Sequence, residues 1–166
     1  MDKIEELREK AKQRLKVADH ILTMTYPLVK DTKLLMVVTE NLFLALTNIM
    51  SALLYFERKF KRIPPFSDNF EAKFKVFNDN LVPKYKIDKK YLLLMRELKE
   101  IILEHKRSPV EFVRKDRFVI CSEDYRMKTI TVDLLKKYIK ESKEFITRID
   151  RILSRAELFF ENARVS

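Results

Sequence analysis

The chain's long apolar segment is residues 34–56, which read LLMVVTENLFLALTNIMSALLYF. Glu40 is the one charged residue among these 23. A run of this length could cross a bilayer, but its polar residues fall close to one helical face, and an ionised glutamate facing lipid is costly. We therefore predict the central helix of a bundle, in contact with neighbours nearly all round, and no membrane partner. The polar residues on this face are Glu40, Asn41, Thr47, Asn48 and Ser51.

This polar stripe leaves two interpretations open. Burying a polar side chain without a partner is unfavourable, so each member needs a hydrogen-bond partner or a wet groove. In the first, the stripe is a buried polar network, which could extend across a dimer interface. In the second, the stripe lines a ligand groove.

Helical spacing of apolar residues continues on both sides of this segment. Residues 2–26 are predicted to form a long first helix that Pro27 ends or kinks. The second helix covers about 33–61, with Asp31 or Thr32 supplying an oxygen to its first N–H groups. Because the connection is short, we expect these two helices to be antiparallel neighbours.

Three further helices follow. Ser67 or Asp68 caps a shorter one that Pro83 closes, and another runs from Asp88 to about Lys106. The last helix is about 32 residues long, roughly 48 Å, and begins at a Thr131 cap.

Residues 118–130 are rich in β-branched and aromatic residues on either side of a plausible turn, and they predict a small β-hairpin. The fold class is therefore mainly all-α. We predict an up-and-down helical bundle of about five helices in one domain, residues 1–166, with long first, second and last helices.

Glycine is missing from all 166 residues. Phosphate-binding loops, nucleophile elbows and dinucleotide fingerprints need glycine, because a residue without Cβ takes φ > 0 cheaply and lets a ligand touch the backbone. Sites of that kind are excluded. Function must then rest on side chains presented by helix faces and by a short irregular segment.

Metal and cofactor chemistry is not indicated either. Cys121 is the single cysteine, which excludes an internal disulfide and favours a reducing, cytoplasmic location. The charged N-terminus does not read as a signal peptide. Neither His20 nor His105 has the glutamate three residues earlier that a di-iron bundle uses. We predict no metal site and no cofactor.

The net charge of +10 favours an anionic partner. Residues 57–117 hold 17 Lys+Arg against 10 Asp+Glu, whereas residues 118–166 contribute +2. Two clusters stand out, the end of the second helix at 57–62 and the irregular segment 105–117. The predicted nucleic-acid contacts are Arg58, Lys59, Lys61, Arg62, His105, Lys106, Arg107, Arg114, Lys115 and Arg117.

These two clusters form one surface if the bundle brings their helix ends together. The alternative is structural, because cations in the last turn of a helix also complement its dipole.

Two long antiparallel helices, shorter ones and a long terminal helix resemble the HEPN superfamily. That family's catalytic signature is an arginine, four to six residues and a histidine, and Arg14 and His20 have this spacing. The resemblance implies either a dimeric, metal-independent endoribonuclease of a toxin or defence system, or a non-catalytic partner protein. Because Arg14 and His20 lie in the first helix, we expect a non-catalytic member.

The first hypothesis is therefore a non-enzymatic helical-bundle protein that binds RNA or another nucleic acid, or a protein partner, and forms a homodimer. An endoribonuclease is one alternative, with histidine as general acid or base and arginine stabilising the developing charge. A structural or oligomerisation subunit is the other.

Overall fold

The computed structural model describes residues 2–107, 110–114, 117–121 and 127–165. Within these ranges, two π turns, Ile21–Thr25 and Phe77–Leu81, interrupt helices without breaking them. The elements in chain order are α1 (Lys3–His20), α2 (Tyr26–Val29), α3 (Lys33–Lys59), α4 (Phe70–Val76), α5 (Val82–Tyr85), α6 (Lys90–Arg107), β1 (Val110–Arg114), β2 (Arg117–Cys121), β3 (Met127–Thr131) and α7 (Val132–Val165).

The helices form a bundle around α3. This helix packs against α1, α4, α6 and α7, and leucine, alanine and isoleucine side chains are fully buried along its length. It is long and apolar enough to cross a membrane, but 61% of its most apolar stretch is buried inside the bundle, as in the core helix of a globular domain. Counting each π turn with its flanking helices, the described residues contain five helical rods, so the mainly-α bundle is confirmed.

Both helix-interior prolines lie just after a π turn. The N–H of Tyr26 bonds the carbonyl of Ile21, and that of Val82 bonds Phe77, each five residues back. A proline clashes with the carbonyl four residues earlier and lacks an N–H, and the wider turn removes that conflict. The prediction that Pro83 closes its helix is wrong, because α5 continues through Pro83 to Tyr85.

Helix caps follow local signals at most positions. Thr131 accepts the Leu134 N–H at 3.1 Å and Asp88 accepts the Lys90 N–H at 2.9 Å, as expected for α7 and α6. Asp31 accepts the Lys33 N–H at the start of α3. The predicted Ser67 or Asp68 cap of α4 is wrong: Asn69 takes that role and accepts the N–H of Ala72 at 2.9 Å.

The hairpin of β2 and β3 is confirmed, with Phe118 opposite Ile130. In the described residues the sheet has a further strand, because β1 pairs antiparallel with β2. The prediction that residues 105–117 form one irregular segment is therefore wrong, since α6 extends to Arg107 and β1 follows. The inner residues Phe118, Ile120 and Ile130 join the helical core.

The short helical rod α4–α5 departs from simple alternation. At the start of the rod, the Phe70 ring centre lies 5.2 Å from that of Phe43, in the middle of α3. Near the end of the rod, Lys84 donates hydrogen bonds to Glu57, near the end of α3. The rod therefore runs in the same direction as α3. As a result, α6 runs opposite to α3, and their C-terminal ends lie on opposite sides of the molecule.

Lysine occupies the left-handed position that glycine usually takes after a helix. Among the described residues, Lys30, Lys61 and Lys86 have φ of 55°, 55° and 52°. The Lys30 N–H bonds the Tyr26 carbonyl at 2.7 Å, and the Arg62 N–H bonds the Glu57 carbonyl at 3.1 Å. These bonds terminate the helices at backbone angles that are unfavourable for a residue with a Cβ.

We expect Lys30→Gly to raise the free energy of unfolding by about 0.5–1 kcal/mol, because glycine adopts φ > 0 without that cost. Chemical denaturation measures the change. The control is Lys16→Gly, on the exposed side of α1, which should lower the free energy by about 1 kcal/mol. Equal losses in both variants would contradict this interpretation of Lys30.

Candidate nucleic-acid interface

The predicted cluster at the end of α3 lies on the surface, and its arginines have structural partners. The Arg58 guanidinium lies 4.7 Å from the centre of the Tyr55 ring. Arg62 lies 5.0 Å from the centre of the Phe60 ring and 3.9 Å from the Glu57 carboxylate. The two arginines therefore help to hold the end of the bundle together. The remaining exposed cations of the cluster are Lys59 and Lys61.

The second predicted cluster is divided between a helix end and the sheet. The His105 ring contacts Phe118 edge-on, with 5.4 Å between ring centres. Arg117 is exposed at the start of β2 and pairs in register with Arg114 of β1. Lys115 and the side chain of Arg114 lie outside the described residues. The exposed cations that end α6 are Lys106 and Arg107.

The bundle does not bring these two clusters together. Phe60, beside the first cluster, stacks on Phe160 near the end of α7, with 4.7 Å between ring centres. Arg117, in the second cluster, lines a cavity with Asp133 in the first turn of α7. Asp133 and Phe160 are 27 residues apart on one helix, about 40 Å at 1.5 Å per residue. The clusters cannot form a single compact site.

A third basic surface, which the sequence analysis missed, runs along the outer side of α7. Its members recur three to five residues apart, so they lie on the side of the helix away from the buried Phe145 and Ile149. We call it the α7 cationic face. Its members are Lys136, Lys140, Lys143, Arg148, Arg151 and Arg155.

Two acidic residues of α7, Asp150 and Glu157, are turned toward α1. The Arg8 side chain, which is 6% exposed, bonds Asp150 and Glu157, each at 2.8 Å, and also donates to Ser154. Burial raises the pKa of Asp150, but hydrogen bonds from Arg8 and Lys12 outweigh burial and hold it below its usual range. Asp150 and Glu157 therefore lie on the side of α7 that faces α1, apart from the α7 cationic face.

Three open cavities follow one another along the α7 cationic face. Their volumes are about 690, 570 and 350 Å³ from the start of α7 toward its end. They are lined by ten cations and three carboxylates, a net charge of +7. The cations are Lys30, Lys84, Lys86, Arg117, Lys136, Lys140, Lys143, Arg148, Arg151 and Arg155, and the carboxylates are Asp88, Asp133 and Glu144.

Several of these cations have no anionic partner within the protein. In the part of the chain that the structure describes, five members of the α7 cationic face form no ion pair and no side-chain hydrogen bond: Lys136, Lys140, Lys143, Arg151 and Arg155. Glu144, by contrast, accepts a hydrogen bond from Tyr91 and pairs with Lys90. The surface is therefore positive and available to an external anion.

A buried carboxylate fixes the wall of the third cavity. Glu57 is fully buried and accepts hydrogen bonds from Lys84, at 2.9 and 3.1 Å, and from the Tyr85 hydroxyl. Burial and the adjacent Glu57 raise the pKa of Tyr85 well above its usual range. Arg148 donates to the Tyr85 carbonyl at 2.9 Å and so ties this wall to α7. A hydrogen bond therefore links the two walls of this cavity, which α5 and α7 provide.

The polar stripe of α3 is partly satisfied inside the chain. Asn41 accepts a hydrogen bond from Arg14 at 3.3 Å and donates to the Val37 carbonyl at 2.8 Å. Glu40 is exposed. The two hydrogen bonds of Asn41 agree with the first interpretation of the stripe, a polar network within the bundle. Arg14 is thus engaged with Asn41, and His20 is exposed on the same helix.

Comparison with known proteins found no matching family model, no matching curated protein and no matching solved structure. The resemblance to the HEPN superfamily, the homodimer and the cytoplasmic location stay predictions. Within the described ranges, no three His, Cys, Asp or Glu side chains come together as a metal site requires.

We expect Asp150→Asn to lower the free energy of unfolding by about 1–3 kcal/mol at pH 7, because it leaves the buried Arg8 with one fewer anionic partner. The folded-state pKa of Asp150 is lowered, so its stabilisation is present above the ordinary aspartate pKa and is lost as pH falls through the folded-state value. The variant should therefore lose less stability than the wild type as the pH falls below about 5.

Denaturant unfolding at several pH values measures this effect. Asp19→Asn is the control, because among the described residues the Asp19 carboxylate has no ion pair, and its pH profile should match the wild type. If Asp150→Asn followed the wild-type profile, the proposed role of Asp150 would be wrong.

Proposed function

We propose that this protein binds nucleic acid, with RNA as the first candidate. The α7 cationic face would contact the phosphate backbone of the nucleic acid. One observation carries the proposal: a packed helix presents a row of cations, five of them unpaired within the described chain, beside three consecutive cavities with a net charge of +7. A row of this kind suits a polyanion better than a single small anion.

The dimensions of the face also support a polymeric ligand. Lys136 and Arg155 are 19 residues apart, about 28 Å along the helix axis. Each phosphate held by a cation releases a condensed counterion, and this release drives binding. Because the cations stand on a packed helix, little backbone ordering is needed on association.

The proposed interface differs from the one that the sequence predicts. Arg117 belongs to both interfaces, because it lines the first cavity with Lys30 and Lys136. Lys59 and Lys61 lie near the far end of α7 and stand outside the three cavities. The proposal concerns binding alone and assigns no catalytic residue.

We expect binding of a short single-stranded RNA, measured by fluorescence anisotropy, to weaken steeply with salt. About five phosphate contacts would give a slope of log K against log salt near −3.5. The double variant Lys140→Gln, Lys143→Gln should bind roughly 10- to 30-fold more weakly at 0.1 M salt, with a slope shallower by about 1.4, because two contacts are removed.

Two matched double variants locate the effect. Lys16→Gln with Lys33→Gln removes two exposed cations away from the α7 cationic face and should leave the affinity within about twofold. Lys59→Gln with Lys61→Gln tests the cluster that the sequence predicts. An equal loss in the Lys16 and Lys33 pair, or wild-type binding that does not depend on salt, would refute the proposal.

A further inference from the structure

The α7 cationic face ends in an exposed apolar patch. Phe159 is 70% exposed and Leu158 is 58% exposed. Phe159 follows Arg155 by four residues and Arg151 by eight, so it lies on the same side of α7, one turn beyond the last cation. A ligand that covers this ring would remove apolar surface from water, which is favourable.

Packing beneath Phe159 supports it as a rigid platform. Its ring meets Phe160 edge-on, with 5.7 Å between centres. Phe160 stacks on Phe60 at 4.7 Å with an interplanar angle of 2°, and Phe60 contacts Phe56 at 5.2 Å. Arg62 lies over Phe60. An outward aromatic ring thus stands on a packed aromatic cluster with cations beside it.

We propose that Phe159 stacks on an unpaired base of the nucleic acid whose phosphates lie along the α7 cationic face. This inference rests on the proposed function and narrows the ligand to single strands. A duplex keeps its bases stacked on one another, whereas a single strand exposes their faces to aromatic side chains. Cations that follow the backbone and an aromatic ring that takes a base are the recurring elements of single-strand recognition.

Charge argues against a second copy of this chain as the occupant. A symmetric dimer through Phe159 would place the same patch on both partners and bring Arg155 and Arg62 close to their own copies. Stable interfaces bury about 800 Å² on each partner, and the neighbouring exposed apolar side chains among the described residues are Leu158 and Phe60, too few for such an area. A negatively charged ligand avoids the repulsion between like cations, because these cations attract it.

The chain contains no tryptophan, so Phe159→Trp provides a unique fluorescent probe at the patch. Addition of a single-stranded RNA should quench this tryptophan through base stacking. An abasic oligonucleotide of the same length, which carries the same phosphates without bases, should bind with little quenching. A duplex should also leave the tryptophan fluorescence nearly unchanged.

Affinity supplies the second test. Phe159→Ala should weaken binding of the single-stranded RNA by about 5- to 100-fold, and should weaken binding of the abasic strand by no more than about twofold. The slope against salt should not change, because no phosphate contact is removed. Leu93→Ala is the matched control, since Leu93 is also 70% exposed but lies on α6, and it should have no effect.

The outcomes separate the two proposals. If the wild type binds none of the three oligonucleotides, the proposed function fails and this inference fails with it. If the wild type binds with a steep salt slope but Phe159→Ala loses no affinity, the inference alone is refuted. Light scattering gives a third outcome. If the wild type is a dimer, and Phe159→Ala converts it to a monomer without changing the RNA affinity, the patch serves self-association and the base-stacking inference is refuted.

Discussion

Burial of α3 on nearly every side is the constraint on which the rest of the structure depends. A helix that is apolar around most of its circumference must be enclosed, and α1, α4, α6 and α7 enclose it. Each enclosing helix turns one side to α3 and leaves the opposite side to water. The long α7 thereby gains an outer surface that extends along most of the molecule.

The distribution of charge on α7 follows from this arrangement. Its described residues include eight cations and six carboxylates, so the net charge of the helix is small. Arg8 of α1 bonds Asp150 and Glu157 at the edge of α7 nearest α1, and its hydrogen bond compensates the partial burial of Asp150. The cations remain outside. Because Asp150 and Glu157 face α1, the outer side of a nearly neutral helix is positive, even with Asp133 and Glu144 among its cations.

Local sequence signals predicted the helices, the Thr131 cap and the β2–β3 hairpin, because each depends on neighbouring residues. The continuation of α5 through Pro83 depends on a π turn that no local preference indicates, and β1 depends on pairing with β2. The α7 cationic face was not predicted, because charge was counted by segment. The three- to five-residue spacing from Lys136 to Arg155 was the available signal. The direction of α4–α5, which separates the two predicted clusters, is set by packing.

Lysine footprinting with and without bound RNA tests the account most directly, since it reports on individual side chains of the intact protein. Chemical acetylation followed by mass spectrometry should show RNA-dependent protection of Lys86, Lys140 and Lys143, and none of Lys16. Protection of Lys59, Lys61 or Lys106 while Lys140 and Lys143 stay fully reactive would contradict the assignment of the binding surface to α7.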